Sequence, residues 1–143
     1  MTIRSTVVLW LALVAVMSAQ APAKTEPALS PAQAATVNQK IAALRTESDR
    51  KVAREWSNSK KVAEILCRPA ATAYWKKKAP GTDRVFLGTS APETLLLESN
   101  RRLTGSGQYR TPQGWTAFHF ACDLDPGKGT VASFETVPAG ADH

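Results

Sequence analysis

Long hydrophobic runs, cysteine, histidine and acidic charge are all scarce in this 143-residue chain. No stretch reaches the ~20 apolar residues that a helix needs to cross a bilayer core. The longest run, 7–17 (VVLWLALVAVM), spans eleven residues and gives way to Gln20, Pro22 and Lys24. A membrane association is therefore expected only through this segment while it is uncleaved. The two cysteines, Cys67 and Cys122, lack the C-x-x-C spacing of a redox-active pair. Neither lies near the N-terminal run, which argues against a lipid-anchored product. Two cysteines and one well-placed histidine make no zinc set. Twelve Asp and Glu stand against 18 Lys and Arg, a formal charge of +6. That imbalance favours anionic partners.

The N-terminus has an order of its own. Arg4 precedes the apolar run, and Ala19-Gln20-Ala21 places small residues at alternate positions. A positive end, an apolar core and small residues make the layout of a secretory signal peptide, assigned to residues 1–21. Cleavage after Ala19 or Ala23 avoids Pro22 as the following residue. The mature chain is then expected to be periplasmic or secreted. In that oxidising compartment two free thiols do not persist, so Cys67 and Cys122 are expected to pair. The bridge closes a loop of 56 residues, for which the chain-entropy model gives roughly 4 kcal/mol.

Residues 22–29 are short, polar and rich in Pro and Ala, and read as a disordered tether. Ser30, Pro31 and Gln33 form a helix-start signal with an N-cap, a first-turn proline and a capping-box partner. The spacing of Ala34, Val37, Ile41, Leu44, Ser48, Val52 and Trp56 predicts one amphipathic helix over 30–58, with those residues on its core face. Ser57-Asn58-Ser59 breaks the pattern. A short helix over 60–67 follows, ended or restarted by Pro69. A further helix runs over 70–78, with Trp75 facing the core. Ala79-Pro80-Gly81 stops it.

From residue 84 the period falls to two. Strands are predicted over 84–89, 94–98, 101–110, 115–124 and 130–137, with turns at 111–114 and 125–129. The glycines of 105–107 suggest a bulge or a close backbone approach. Phe118, Phe120 and Cys122 should face the core. The expected fold is α+β over 59–138, with N-terminal helices packed on one face of a small antiparallel β-meander and one disulfide. Residues 139–143 are a tail.

Leu103-x-Gly105-x-Gly107-x-x-Arg110, Gly114-Trp115, Phe118-x-Phe120-x-Cys122 and Val131-x-Ser133-Phe134 occur in that order. With Cys67 and Asp83-Arg84-Val85 upstream, this series resembles the bacterial domain of unknown function 930 family over roughly residues 60–137. The resemblance implies an exported small domain, disulfide-bonded, with no established catalytic role. It does not cover the helix at 31–56.

Few residues suggest chemistry. His119 falls on the strand face opposite the phenylalanines, and Ser106 is not in a nucleophile elbow. Asp123-x-Asp125-x-Gly127 begins like a calcium loop, but Lys128 and Phe134 stand where glycine and a bidentate Glu belong. No cofactor is implied. Between 60 and 110 there are ten Lys or Arg and four Asp or Glu. Lys76, Lys77, Lys78, Arg101, Arg102 and Arg110 are the candidate anion-binding residues, if helix and sheet bring them into one patch. In an exported protein the partner is an anionic envelope component or an acidic protein rather than nucleic acid. The alternatives are an inhibitor of a secreted hydrolase, presenting a loop at 111–114 or 104–107, and an enzyme using His119.

Overall fold

In the computed structural model of the chain, residues 25–89, 91 and 94–138 are described. The signal peptide, residues 22–24 of the tether and the 139–143 tail lie outside them. The element order is α1 (Pro31–Ala42), α2 (Glu47–Arg54), α3 (Asn58–Lys61), a π-helical turn (Val62–Cys67), α4 (Arg68–Lys78), then β1 (Arg84–Leu87), β2 (Leu95–Ser99), β3 (Arg102–Thr111), β4 (Gly114–Asp125) and β5 (Thr130–Pro138). This is an α+β fold with a five-stranded antiparallel sheet.

The helix predicted over 30–58 is broken in two. α1 starts as expected: Ser30 Oγ accepts from Gln33 N–H, and the Gln33 side chain accepts from Ser30 N–H. It ends at Ala42 because Ala43 and Leu44 N–H tighten to carbonyls three residues back. Thr46 then caps α2 by accepting from Asp49 N–H. The break rotates the second half out of phase. Ala53 is buried instead of Val52, which is 55% exposed.

The segment 25–29 is no tether. Glu26 accepts from the N–H groups of Asn58 and Ser59 and from Ser59 Oγ, while Pro27 carbonyl accepts from the Asn58 side chain. Leu29 packs on the core. Four backbone N–H groups at a helix start lack intrahelical partners, and a carboxylate 32 residues upstream satisfies two of them.

Helix continues from Asn58 to Lys78 through the π turn. Proline removes an N–H and its ring clashes with the carbonyl four residues back. Here Arg68 N–H donates to Ala63, five residues back, immediately before Pro69. The wider turn carries the helix past proline, so Pro69 neither ends nor restarts it.

β2 to β5 form the expected meander. β1 departs from it, because β1 and β2 both pair with β3, end to end along the same edge. Gly105 and Gly107 sit where these two strands meet. A Cβ on Gly107 would lie 2.5 Å from Phe86 carbonyl and 2.6 Å from Phe118 Cζ. The glycines therefore serve a close approach and not a bulge.

Val85, Leu87, Leu97, Leu103, Phe118, Phe120, Cys122 and Leu124 line one face of the sheet and join Val37, Ile41, Ala53, Val62, Ile65, Leu66 and Trp75 in one core. Helices and sheet are thus one unit over 25–138. Cys67 and Cys122 form the disulfide, joining the π turn to the central strand. Trp75 stacks on Tyr109 with ring centroids 4.0 Å apart. Its buried indole N–H has no partner among the described residues.

Candidate functional site

α4 crosses the inner face of the sheet. Arg68, at its start, lies by β1, where its Nε donates to Val85 carbonyl at 3.0 Å. Tyr74, near its end, contacts Phe134 of β5 and accepts from Thr136 Oγ1 at 2.7 Å. Lys76, Lys77 and Lys78 fill the last turn, where cations complement the helix dipole. All three are exposed, and none forms an ion pair with a described residue. The chain then returns to the sheet. Gly81, with φ +93°, abuts Pro112 of the β3–β4 turn, and Asp83 N–H donates to Arg110 carbonyl. Arg84 lies directly opposite Arg110. One end of the domain therefore gathers Lys76, Lys77, Lys78, Arg84 and Arg110.

Arg101 and Arg102 are not part of it. Arg102 and Arg110 begin and nearly end β3, and eight residues of strand span roughly 26 Å. Arg102 is also engaged, with Asp123 at 2.8 Å and Glu98 at 3.5 Å. The single positive patch expected from sequence is thus divided between opposite ends of the sheet.

Arg110 belongs to a second arrangement. Its guanidinium grips Asp83 through both Nε and Nη2. The hydrogen bond from Arg110, and then its charge, hold the Asp83 carboxyl below the usual aspartate range, and the same bond pushes the arginine upward. Arg110 also lies over Trp115 at 5.5 Å, Trp115 stacks with Phe86 at 5.5 Å, and Arg68 lies over Phe86 at 5.0 Å. Cation, two rings and cation form a ladder across the outer face of the sheet. Sequence reading missed it, because Phe86 and Trp115 become neighbours only through the β1–β3–β4 register.

The register also brings Ser106 opposite His119, with Oγ 3.2 Å from Nδ1. The pair lies on the face of the strands opposite Phe118 and Phe120, away from the described helices. Ser106 N–H is already donated to Thr94 carbonyl, so it offers nothing to an oxyanion. Of the two segments expected to offer an inhibitory loop, residues 104–107 lie inside β3, whereas 111–114 is the tight β3–β4 hairpin turn, with Pro112 and Gln113 exposed at its tip. The Asp125 side chain accepts from Lys128 N–H and shapes the β4–β5 turn. Among the described residues no group of three or more His, Cys, Asp or Glu could hold a metal. No described helix is long and apolar enough to cross a membrane.

A cleft of about 920 Å³ lies beside the junction of β1 and β2, with Trp56, Lys60, Glu64, Arg68, Phe86 and Gln108 in its walls. Its charges are largely committed. Arg68 pairs with Glu64 at 2.9 Å, and Lys60 lies over the Trp56 ring at 5.4 Å.

Comparison with protein-family models finds no match, and neither curated proteins nor solved structures match the chain.

Proposed function

We propose that this is an exported, non-enzymatic domain that binds an anionic envelope component or an acidic protein through the basic end formed by Lys76, Lys77, Lys78, Arg84 and Arg110. Export rests on the order of residues 1–21 and agrees with the disulfide. The observation that carries the binding reading is the run of three exposed lysines at the end of α4, without ion pairs among the described residues, from which the chain returns directly to Arg84 and Arg110. Such a concentration of one sign attracts anions and accelerates their encounter, more strongly at low salt. Trp115, 46% exposed on the same side, adds an apolar contact beside the charges.

The test uses vesicles containing anionic phospholipid, an acidic polysaccharide and an acidic protein at low and high salt. At least one is expected to bind at low salt. The triple change Lys76→Glu, Lys77→Glu, Lys78→Glu should abolish that binding. Arg101→Glu with Arg102→Glu, at the far end of β3, should leave it nearly intact. Binding that survives the lysine reversal, or that is lost equally in both variants, overturns the reading.

A further inference from the structure

The two edges of the sheet are treated differently. At the β1 edge, Arg68 occupies the Val85 carbonyl. Along β2, α3 and Glu26 lie close by, with Ser59 and Leu95–Leu97 around the same hollow. β5 packs against α4 and the π turn, but no described residue hydrogen-bonds to the main chain along its outer edge. Hydrogen-bond alternation identifies which of its groups are open. Leu124 N–H is donated to Arg101, toward β3. Alternate residues of an antiparallel strand point opposite ways, so Asp123, Ala121 and His119 turn toward β5. Their partners are Ser133, Glu135 and Val137. Phe134 and Thr136 therefore direct their N–H and C=O groups away from the sheet. No hydrogen bond to these main-chain groups is made by any described residue.

Sheets usually blunt such an edge with lysine, proline or a bulge. The ladder shift at Ala132 protects the start of β5, but Ser133 to Val137 contains neither a basic residue nor a proline. Charge and apolar surface lie beside this open stretch. Phe134 and Tyr74 are half-buried along it, and Lys78 Nζ stands 5.9 Å from the Tyr74 ring centre. Glu135, by contrast, belongs to the alternate, outer set of β5 residues.

We propose that β5 accepts an extended acidic segment of a partner polypeptide as an additional strand. Phe134 and Thr136 would supply the main-chain hydrogen bonds. The partner's acidic side chains would lie on the inner side, toward Lys78 and its neighbours, and neutral ones would face Glu135. The inference rests on the basic end proposed above and names its partner class. Strand addition of this kind draws affinity from main-chain bonds and selectivity from alternate side chains.

The probe is a capped octapeptide alternating threonine and glutamate, compared with the same peptide N-methylated at every amide. N-methylation preserves charge but removes the donors. Wild-type protein is expected to bind the first peptide in a salt-sensitive manner and the second at least about tenfold more weakly, given ~1 kcal/mol for each lost bond. Thr136→Pro removes one outward N–H at an edge position that tolerates proline, and should weaken the unmodified peptide similarly. Thr136→Val, which loses only the bond to Tyr74, should not. Equal binding of the two peptides overturns strand addition while leaving a basic surface in place. Failure to bind either peptide by a protein that still binds anionic vesicles or polysaccharide likewise removes this inference alone. Failure with every anionic probe removes both.

Discussion

The side-chain amide of Gln33 donates to the main-chain carbonyl of Asn100 at 2.6 Å, joining residues 67 apart in sequence. Gln33 is fully buried, and its Oε1 simultaneously accepts from Ser30 N–H. One side chain thus completes the start of α1 and fastens it to the β2–β3 turn. At the same helix end Ser30 Oγ donates to Pro126 carbonyl at 2.6 Å. Gln33→Leu would strand an acceptor and a donor in a part-buried setting. It is expected to cost about 2–3 kcal/mol in urea unfolding. Gln33→Glu should also destabilise, because a carboxylate can accept from Ser30 but cannot donate to Asn100.

The Cys67–Cys122 bridge has a sequence separation of 55. Replacing both cysteines by alanine is expected to cost about 2–4 kcal/mol, read as a lower denaturation midpoint. Reduction of the wild-type protein should lower its midpoint in the same direction. A midpoint unchanged by either treatment would show that the core alone fixes the π turn against β4.

Gly107→Ala should destabilise by about 1–3 kcal/mol through overpacking. The added methyl would press on Phe86 carbonyl and the Phe118 ring, both fixed in the sheet. Gly114→Ala meets no atom within 4 Å but sits at φ +118°, so its cost is conformational. Thermal unfolding of the two variants, with and without a Phe118→Leu background, separates the causes. Only the Gly107 defect should be relieved by the smaller side chain.

The Asp83–Arg110 pair makes acid stability sensitive to one residue. Because the folded-state carboxyl titrates below its ordinary value, its contribution is present above the unfolded-state value. It is lost as pH falls through the folded-state value. Asp83→Asn should flatten the acid limb of the stability profile relative to wild type and leave the neutral-to-alkaline limb parallel. The effect should shrink with added salt, since the pair is exposed. Identical acid limbs in the two proteins would contradict the assignment.

How far residues alone forecast this arrangement differs by element. Strand β4 was legible throughout, because alternation of Phe118, Phe120, Cys122 and Leu124 with polar or small residues is a local signal of period two. The start of α1 was legible because its cap, proline and capping-box residue are adjacent. The break after Ala42 was obscured because no glycine or proline marks it. Only the Thr46–Asp49 cap signals a second start. Glu26 sits in a stretch whose composition signals no structure, because its partners lie more than thirty residues away.

The candidate site divides in the same way. Lys76, Lys77 and Lys78 form a cluster in any helical reading, as they follow one another at the end of α4. Whether Arg110 or Arg102 joins them depends on the direction of β3 and on where the chain returns after Gly81. The sequence by itself determined the strand periodicity, the inward face of the central strand and the abundance of positive charge, all carried by neighbouring residues. Tertiary structure decided which cations meet, which edge of the sheet stays open, and that Phe86 reaches Trp115. These depend on strand register and helix path, which are set by packing across the whole core and by hydrogen bonds between residues far apart in the chain.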